Sequence, residues 1–453
     1  MYLKNKRVLV LGLGVSGLST VKALDHLEAE IIVSDSKPES ELKDFFDGIS
    51  DIHVEKWLDK KDLHLENIDL IIKSPGIPPT AEILIEAEKR NIEIITDIEL
   101  AYRIALTDKI IAITGTNGKT TTTTLVGEII KKANYKTYLA GNIGVGILWD
   151  MVNAKSDDVF VIEASSFQLE NTINFKPSIS LILNITPDHL DWHGSLENYI
   201  DSKKKIFQNQ DGKDFTVLNY DDPIVRKMDD DVYSNAIWFS VNQKLSKGIY
   251  IDGEDIVIND GETITKVLPY KDIKIVGKHN LENALGSIGI CSAMNIDIEI
   301  IAQVLREFKG VEHRIEYVTN INGISFYNDS KGTNPDSTIK AIEAIKSPII
   351  LIAGGYDKGS EFDKLIQSFN GKIKELVLLG ATREKIKLAA IKSEFESIHL
   401  VEDMKEAVKL SYSLGENKDN ILLSPACASW GMYNNFEERG QDFKNAVYAL
   451  KED

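Results

Sequence analysis

The 453 residues are 43% hydrophobic and 27% charged, a composition that excludes a disordered chain and predicts two or three folded domains. A formal net charge of −18 excludes nucleic acid or an anionic membrane as the main partner. Two cysteines, Cys291 and Cys427, cannot by themselves make a disulfide framework or a zinc site and suit a reducing cytosol.

Lys4, Lys6 and Arg7 precede an apolar run, as in an export signal, but that run carries Gly12, Gly14 and Gly17 and no small-residue cleavage site follows. A cytoplasmic protein is therefore expected, and no apolar stretch reaches the roughly 18 residues of a membrane helix. The spacing predicts a buried strand from Arg7, a tight turn over Gly12–Gly17, a helix over Leu18–Leu27 and a second strand over Glu30–Asp35. This is the G-x-G-x-x-G pattern with an acid about 20 residues on, and NAD or any other nucleotide of a Rossmann-like site fits it equally. A third strand, Ile68–Lys73, leads into Ser74-Pro-Gly76-Ile-Pro-Pro79, a loop at the sheet edge where ligands bind. The first domain is predicted over 1–97, ending just after Ile92–Thr96.

The next domain, 98–308, is organised around Lys109–Val126. An isoleucine-rich strand, the turn Gly115-Thr116-Asn117-Gly118-Lys119-Thr120 and a helix with apolar Leu125, Val126, Ile129 and Ile130 aim a row of backbone amides at one point. Amides and helix dipole together bind phosphate; Lys119 reaches its outer groups, and the hydroxyl of Thr120 or Thr121 ligates Mg²⁺. The phosphate-loop pattern G-x-x-x-x-G-K-[ST] departs once, with Ile113 where its first glycine stands. Strands are predicted from Thr137, Asp158 (to Glu163), Ile179 (to Asn184), Phe215 and Ala236, then an antiparallel patch over Gly248–Ile275 and helices over Asn280–Met294 and Ile298–Phe308. Lys309–Arg314 reads as a hinge into a third domain, 309–453, which again alternates strands and helices; the fold class is α/β with three sheet domains. The acidic run Asp229–Asp231 reads as a solvated turn.

Glu163 closes a buried strand, where it suits Mg²⁺ or caps the amides of Ser165 or Ser166. Asp188, His189, Asp191 and His193 share one edge loop. Lys203 shares a helix face with Tyr199 and Ile206, and by spacing is one of three consecutive lysines on a solvated stripe.

Gly115–Thr120, Glu163-Ala-Ser-Ser-Phe-Gln-Leu, Asn184-Ile-Thr-Pro-Asp-His-Leu-Asp, Gly277-Lys-His-Asn280-Leu-Glu-Asn283 and His313-Arg314 resemble the Mur ligase family, the ATP-dependent amide-forming enzymes of peptidoglycan precursor synthesis. Asn328-Asp329-Ser-Lys331-Gly-Thr333, Ala353-Gly-Gly355, Leu423–Ser429 and Asn435-Phe436-Glu-Glu-Arg-Gly resemble its members that add D-glutamate to UDP-N-acetylmuramoyl-L-alanine. The resemblance covers the whole chain and implies a Rossmann-like N-terminal domain, a central phosphate-loop ATPase-like domain and a Rossmann-like C-terminal domain. It assigns Gly14, Val15, Ser16, Asp35, Ser36 and Gly76 to uridine and diphosphate, and Asn142 and Ser165 to the muramoyl-alanine end. Gly115–Thr121 would hold ATP phosphates, and Asn280, Asn283, Arg314 and Asp329 the rest of the nucleotide. Two Mg²⁺ ions are implied, one on Thr120 and Glu163, the other on His189 and Lys203, which the family carries as a carbamate. Lys119, Glu163, His189 and Lys203 form the catalytic set, and Lys331, Thr333, Lys358, Ser429 and Phe436 receive D-glutamate.

The implied activity is an ATP-dependent ligation through an acyl phosphate by a cytoplasmic monomer, with domain closure. Some members carry an acid directly after the paired glycines, where this chain has Tyr356, and the roles of Asp357 and Lys358 depend on that loop. Other readings are a different member of the superfamily, such as an alanine-adding ligase or folylpolyglutamate synthase, an NAD-dependent oxidoreductase, and a non-catalytic nucleotide-binding regulator. The Asp-Asn-Pro-Arg motif of the diamino-acid-adding members is missing.

Overall fold

Three sheets carry the chain in the computed structural model, which describes residues 2–58, 65–142, 146–275, 277–357 and 359–451. The first sheet is all parallel, with β1 (Arg7–Leu11), β2 (Glu30–Asp35), β3 (Glu55–Leu58), β4 (Leu70–Lys73) and β5 (Glu93–Ile95) in the order β3-β2-β1-β4-β5. β1 and β4 are continuous apolar runs because both faces of a parallel sheet are covered, and Val8–Val10 and Leu70–Ile72 are buried. β3 was not expected. Its Glu-Lys-Trp-Leu sequence buries only Trp57, as an edge strand does. The helix after β1 spans Val15–His26 and starts three residues before the expected Leu18, with Gly14 as its N-cap.

The second sheet has β6 (Ile110–Thr114), β7 (Thr137–Gly141), β8 (Val159–Glu163), β9 (Ile179–Ile182), β10 (Phe215–Asn219), β11 (Asn235–Ser240), β12 (Gly248–Asp252), β13 (Asp255–Asn259) and β14 (Ile264–Pro269). Its order is β14-β13-β12-β11-β10-β9-β6-β8-β7. β6 to β12 are parallel, and the predicted antiparallel patch is β12–β14. β6 is buried at every residue, Ile113 included, and lies between β9 and β8. Asp229–Asp231 form an exposed 3₁₀ turn.

The expected boundary between 97 and 98 is not a break in packing. The helix Asp97–Ile104 buries Ile98, Leu100 and Ala101 in one core with Val8 and Val10 of the first sheet and Ala112 and Phe160 of the second. The chain accordingly divides into two compact units, Met1–Ile273 with Lys278–Arg306, and Lys274–Gly277 with Glu307–Asp453.

The second unit holds β15 (Glu316–Ile321), β16 (Ile324–Asn328), β17 (Ile349–Ala353), β18 (Ile373–Leu378), β19 (Ile398–Leu400) and β20 (Asn420–Leu423), ordered β15-β16-β20-β17-β18-β19. β15 is antiparallel and the rest are parallel, so the carboxyl ends of β16, β20 and β17 are neighbours. Among the described residues no helix is long and apolar enough to cross a membrane.

Candidate active site

β6 ends at Thr114, and the helix Lys119–Lys132 begins five residues later with Gly118 as its left-handed N-cap, at φ +86°. A Cβ on Gly118 would lie 2.2 Å from Asn283 Oδ1, so any side chain there is strained by its φ and must displace that amide. The segment after β9 pins the loop: Thr116 N donates to Asn184 O at 2.9 Å and Asn117 N to Asn184 Oδ1 at 2.8 Å, and Thr116 Oγ1 lies 3.1 Å from the Tyr199 hydroxyl. Lys119 folds back over the loop, donating to Gly115 O at 2.8 Å and Thr116 O at 2.9 Å. Thr120 and Thr121 are buried on the first helical turn, and Asn283 Nδ2 donates to Asn280 Oδ1 at 3.0 Å.

Lys203 is 1% exposed, which corrects the solvated-stripe reading. Tyr199 and Ile206 share its buried face, and its Nζ donates to Gly115 O at 2.9 Å, the carbonyl that Lys119 also reaches. Burial first, and then the Lys119 charge, push its pKa well below the usual lysine value. A neutral amine is therefore accessible in the folded protein.

Glu163 closes β8 beside this loop. Its Oε1 accepts from Asn142 Nδ2 at 2.9 Å, while Oε2 is buried with no hydrogen-bond partner. Ser165 is capped by its own box with Gln168, which removes the reading of Glu163 as a cap for that turn. An orphaned carboxylate oxygen near the hydroxyl-bearing first turn of the phosphate-loop helix is a hard oxygen donor set, and it fits Mg²⁺. His189 is exposed at φ +52°, with Nε2 3.7 Å from Asp188 Oδ2 and its ring 4.8 Å from Phe167. His193 is buried and committed elsewhere, with Nε2 2.9 Å from Ser166 Oγ.

At the carboxyl edge of the first sheet Gly14, Val15, Ser36 and Gly76 are exposed and Ser16 is half-buried. Asp35 accepts from Leu13 N at 2.8 Å and Lys37 N at 3.0 Å, so its carboxylate shapes the glycine turn. In the second unit the loop after β16 carries Asp329, Lys331 and Thr333, and the one after β20 carries Ser429. Phe436 opens the helix Phe436–Ala449, and Lys331 Nζ lies 5.7 Å from its ring. Asp329 is buried, accepts from Ser424 Oγ at 2.6 Å, and is pushed up to about 7 chiefly by that burial; Arg314 is half-buried nearby in sequence. Tyr356 bridges to Ala428 with 44% of its surface exposed, and Asp357 pairs with Lys385 at 3.2 Å. Lys358 lies outside the described residues. Glu312, His313 and Glu316 cluster as metal ligands do, but the Lys444 ammonium donates to both glutamates and already occupies one oxygen of each.

Among the described residues, the buried charged side chains that the sequence does not single out include Lys73, Asp97 and Arg439. Lys73, 1% exposed, donates to Ile77 O at 2.9 Å, and burial lowers its pKa to about 8. Asp97 accepts from Gln168 Nε2 at 3.3 Å, and burial raises its pKa. Arg439 is marked in the sequence only by its place in Asn435-Phe436-Glu-Glu-Arg439-Gly440.

Three family models match in order: the Mur ligase MurD-like N-terminal domain over residues 6–96, the Mur ligase middle domain over 113–291 and the Mur ligase glutamate ligase domain over 313–427. The UDP-N-acetylmuramoylalanine--D-glutamate ligase of Thermoanaerobacter sp. (strain X514) is 48% identical over 454 residues, covering 100% of both chains. That of Clostridioides difficile (strain 630) is 47% identical over 452 residues, again covering 100% of both. Among solved structures, the UDP-N-acetylmuramate-alanine ligase MurC of Thermotoga maritima superposes with a TM-score of 0.60 at 19% identity, covering 98% of this chain and 99% of its own, a likeness of fold. Full-length identity at this level, joined to three models matched in chain order, makes the chain a member of the Mur ligase family.

Proposed function

We propose that the protein joins D-glutamate to UDP-N-acetylmuramoyl-L-alanine with cleavage of ATP, acting as a cytoplasmic monomer in peptidoglycan precursor synthesis. The observation that carries this reading is the edge of the central sheet, where the Gly115–Thr120 loop, the orphaned oxygen of Glu163 and the buried amine of Lys203 lie together.

The loop amides and Lys119 grip the triphosphate. The alanine carboxylate attacks the γ-phosphorus and ADP leaves, giving an acyl phosphate. The amine of D-glutamate then adds to the acyl carbon, loses a proton, and the tetrahedral intermediate expels phosphate. The first step brings two anions together, and the cations Lys119 and Arg314 offset their repulsion. Mg²⁺ held by Thr120 and Glu163, with a second ion at His189 and carbamylated Lys203, would supply further charge neutralisation there. The lowered pKa of Lys203 supports the carbamate, because only a neutral amine adds CO₂, releasing a proton as the carbamate forms. Asn280, Asn283 and Asp329 hold the nucleotide, and Lys331, Thr333, Lys358, Ser429 and Phe436 receive D-glutamate. The first sheet's edge, from Gly14 to Gly76, takes the uridine diphosphate, and Asn142 and Ser165 the muramoyl-alanine end.

Phosphate release, followed with each substrate omitted in turn, tests the reading. Release should require ATP, UDP-N-acetylmuramoyl-L-alanine and D-glutamate together, and Lys119→Ala should abolish it. Amide product formed with ATP intact would overturn the proposal.

A further inference from the structure

We propose that Arg439 is a positioning residue for the incoming amino acid, its guanidinium bracing into one rim the three segments that carry Lys331, Thr333, Ser429 and Phe436. This rests on the reading above, that D-glutamate is the amino acid received there.

Arg439 is 2% exposed on the first turns of the helix Phe436–Ala449. Its Nε donates to Ser330 Oγ at 3.0 Å and its Nη2 to Ser330 O at 2.8 Å, while Nη1 donates to Cys427 O at 3.0 Å. Ser330 Oγ donates in turn to Phe436 O at 2.7 Å. Ser330 is bonded to Lys331 and lies three residues before Thr333, and Cys427 is two residues before Ser429. One planar side chain therefore holds the loop after β16, the loop after β20 and the start of the last helix. The guanidinium also borders the loop after β17: a Cβ on Gly355 would lie 3.2 Å from Nη1, although the Ala428 carbonyl oxygen, at 2.4 Å, is the atom that excludes it.

All three of these bonds end on uncharged oxygens. Burial lowers the guanidinium pKa to about 10, which leaves it charged at neutral pH. A desolvated cation bonded only to neutral acceptors, with the Asp329 carboxyl acting on it but not bonded to it, is costly to bury, and a methionine of similar size would fill the space without that cost. Two returns offset the cost here. The fork fixes the donors of the rim in one geometry before the ligand arrives, and its charge raises the local potential for a dicarboxylate in a chain of net charge −18.

Steady-state kinetics with D-glutamate, ATP and UDP-N-acetylmuramoyl-L-alanine varied separately test this in Arg439→Met, Arg439→Lys and Ser330→Ala, with thermal denaturation alongside. In Arg439→Met the KM for D-glutamate should rise about tenfold or more with the other two KM values within about twofold, as expected when a group that orients one substrate is lost. Arg439→Lys, which keeps the charge but not the fork, should recover part of the loss, and Ser330→Ala should show a smaller rise of the same selectivity. If Arg439→Met does not fold, the other two variants carry the test. An unchanged KM for D-glutamate, an equal rise in all three KM values, or a lower Tm alone would overturn the assignment. Failure of the underlying substrate reading shows earlier and differently, as wild-type protein that releases no phosphate on adding D-glutamate.

Discussion

Gly118→Ala tests the geometry of the phosphate loop directly. The residue sits at φ +86°, where a side chain costs about 1–2 kcal/mol. The new methyl would lie 2.2 Å from Asn283 Oδ1, so that amide must retreat by roughly 1 Å to restore an ordinary contact. Asn283 is 2% exposed and donates to Asn280 Oδ1, so retreat costs a strained rotamer, about 0.5–1.5 kcal/mol, and weakens a hydrogen bond worth about 0.5–1.5 kcal/mol. The total is on the order of 2–5 kcal/mol, which at about 2–4 °C per kcal/mol lowers Tm by roughly 10 °C. Thermal denaturation with and without ATP, and equilibrium dialysis of ATP, should show both the lower Tm and a loss of the ATP-induced stabilisation. Gly14→Ala is the matched control. Its φ is −79° and nothing lies within 4 Å of the added methyl, so Tm should hold while binding of the UDP substrate weakens. A Gly118→Ala protein with wild-type Tm and ATP affinity would refute the argument.

Lys203→Met should raise the Tm of the unliganded protein while abolishing ligation. The folded state holds this amine's proton less tightly than the unfolded chain does, so burial of Lys203 opposes folding increasingly as pH falls from its ordinary 10.5. The gain should accordingly be larger at pH 6 than at pH 9, and a Tm lowered at both would refute it. Asp329 is raised from 3.8 to about 7, so the folded state binds more protons between those values and stability falls as pH rises through that window, by on the order of 4 kcal/mol. Urea midpoints of Asp329→Asn should vary less across about pH 4–7 than those of wild type, and parallel curves would remove the buried acid from the pH dependence.

The parts legible in the sequence are those with local causes. β6 and the turn after it declare themselves, because an apolar run followed by Gly115 and Gly118 has few other uses. β3 was missed because a four-residue edge strand with a polar sequence carries no periodic signal, and the helix start at Val15 because Gly17 reads as a breaker although it is buried within that helix. The end of the strand Ile92–Thr96 marks a change of unit in the sequence, while the hydrophobic core runs across that point through Ile98, Leu100 and Ala101. Lys203 shows the limit most clearly. Periodicity had already put it on the face of Tyr199 and Ile206, but three consecutive lysines read as a solvated stripe, and only docking against β6 decides which of them is buried.

The same limit hid a pattern common to all three sheets. Lys73 at the end of β4, Lys203 beside the end of β6, and Arg439 between the ends of β16 and β20 are each at most 2% exposed, and each donates to a backbone carbonyl of a carboxyl-edge loop: Ile77, Gly115, and Ser330 with Cys427. A composition with a net charge of −18 argues against anionic ligands only if charge is spread evenly. Arg439, which stays charged at neutral pH, puts a desolvated cation where parallel strands end, and in a low-dielectric position such a charge acts more strongly than a solvated acid at the surface, whereas burial loosens the protons of Lys73 and Lys203. The sign of the local potential at a sheet edge is thus set by which few cations the fold buries, a property of tertiary packing that no count of residues contains.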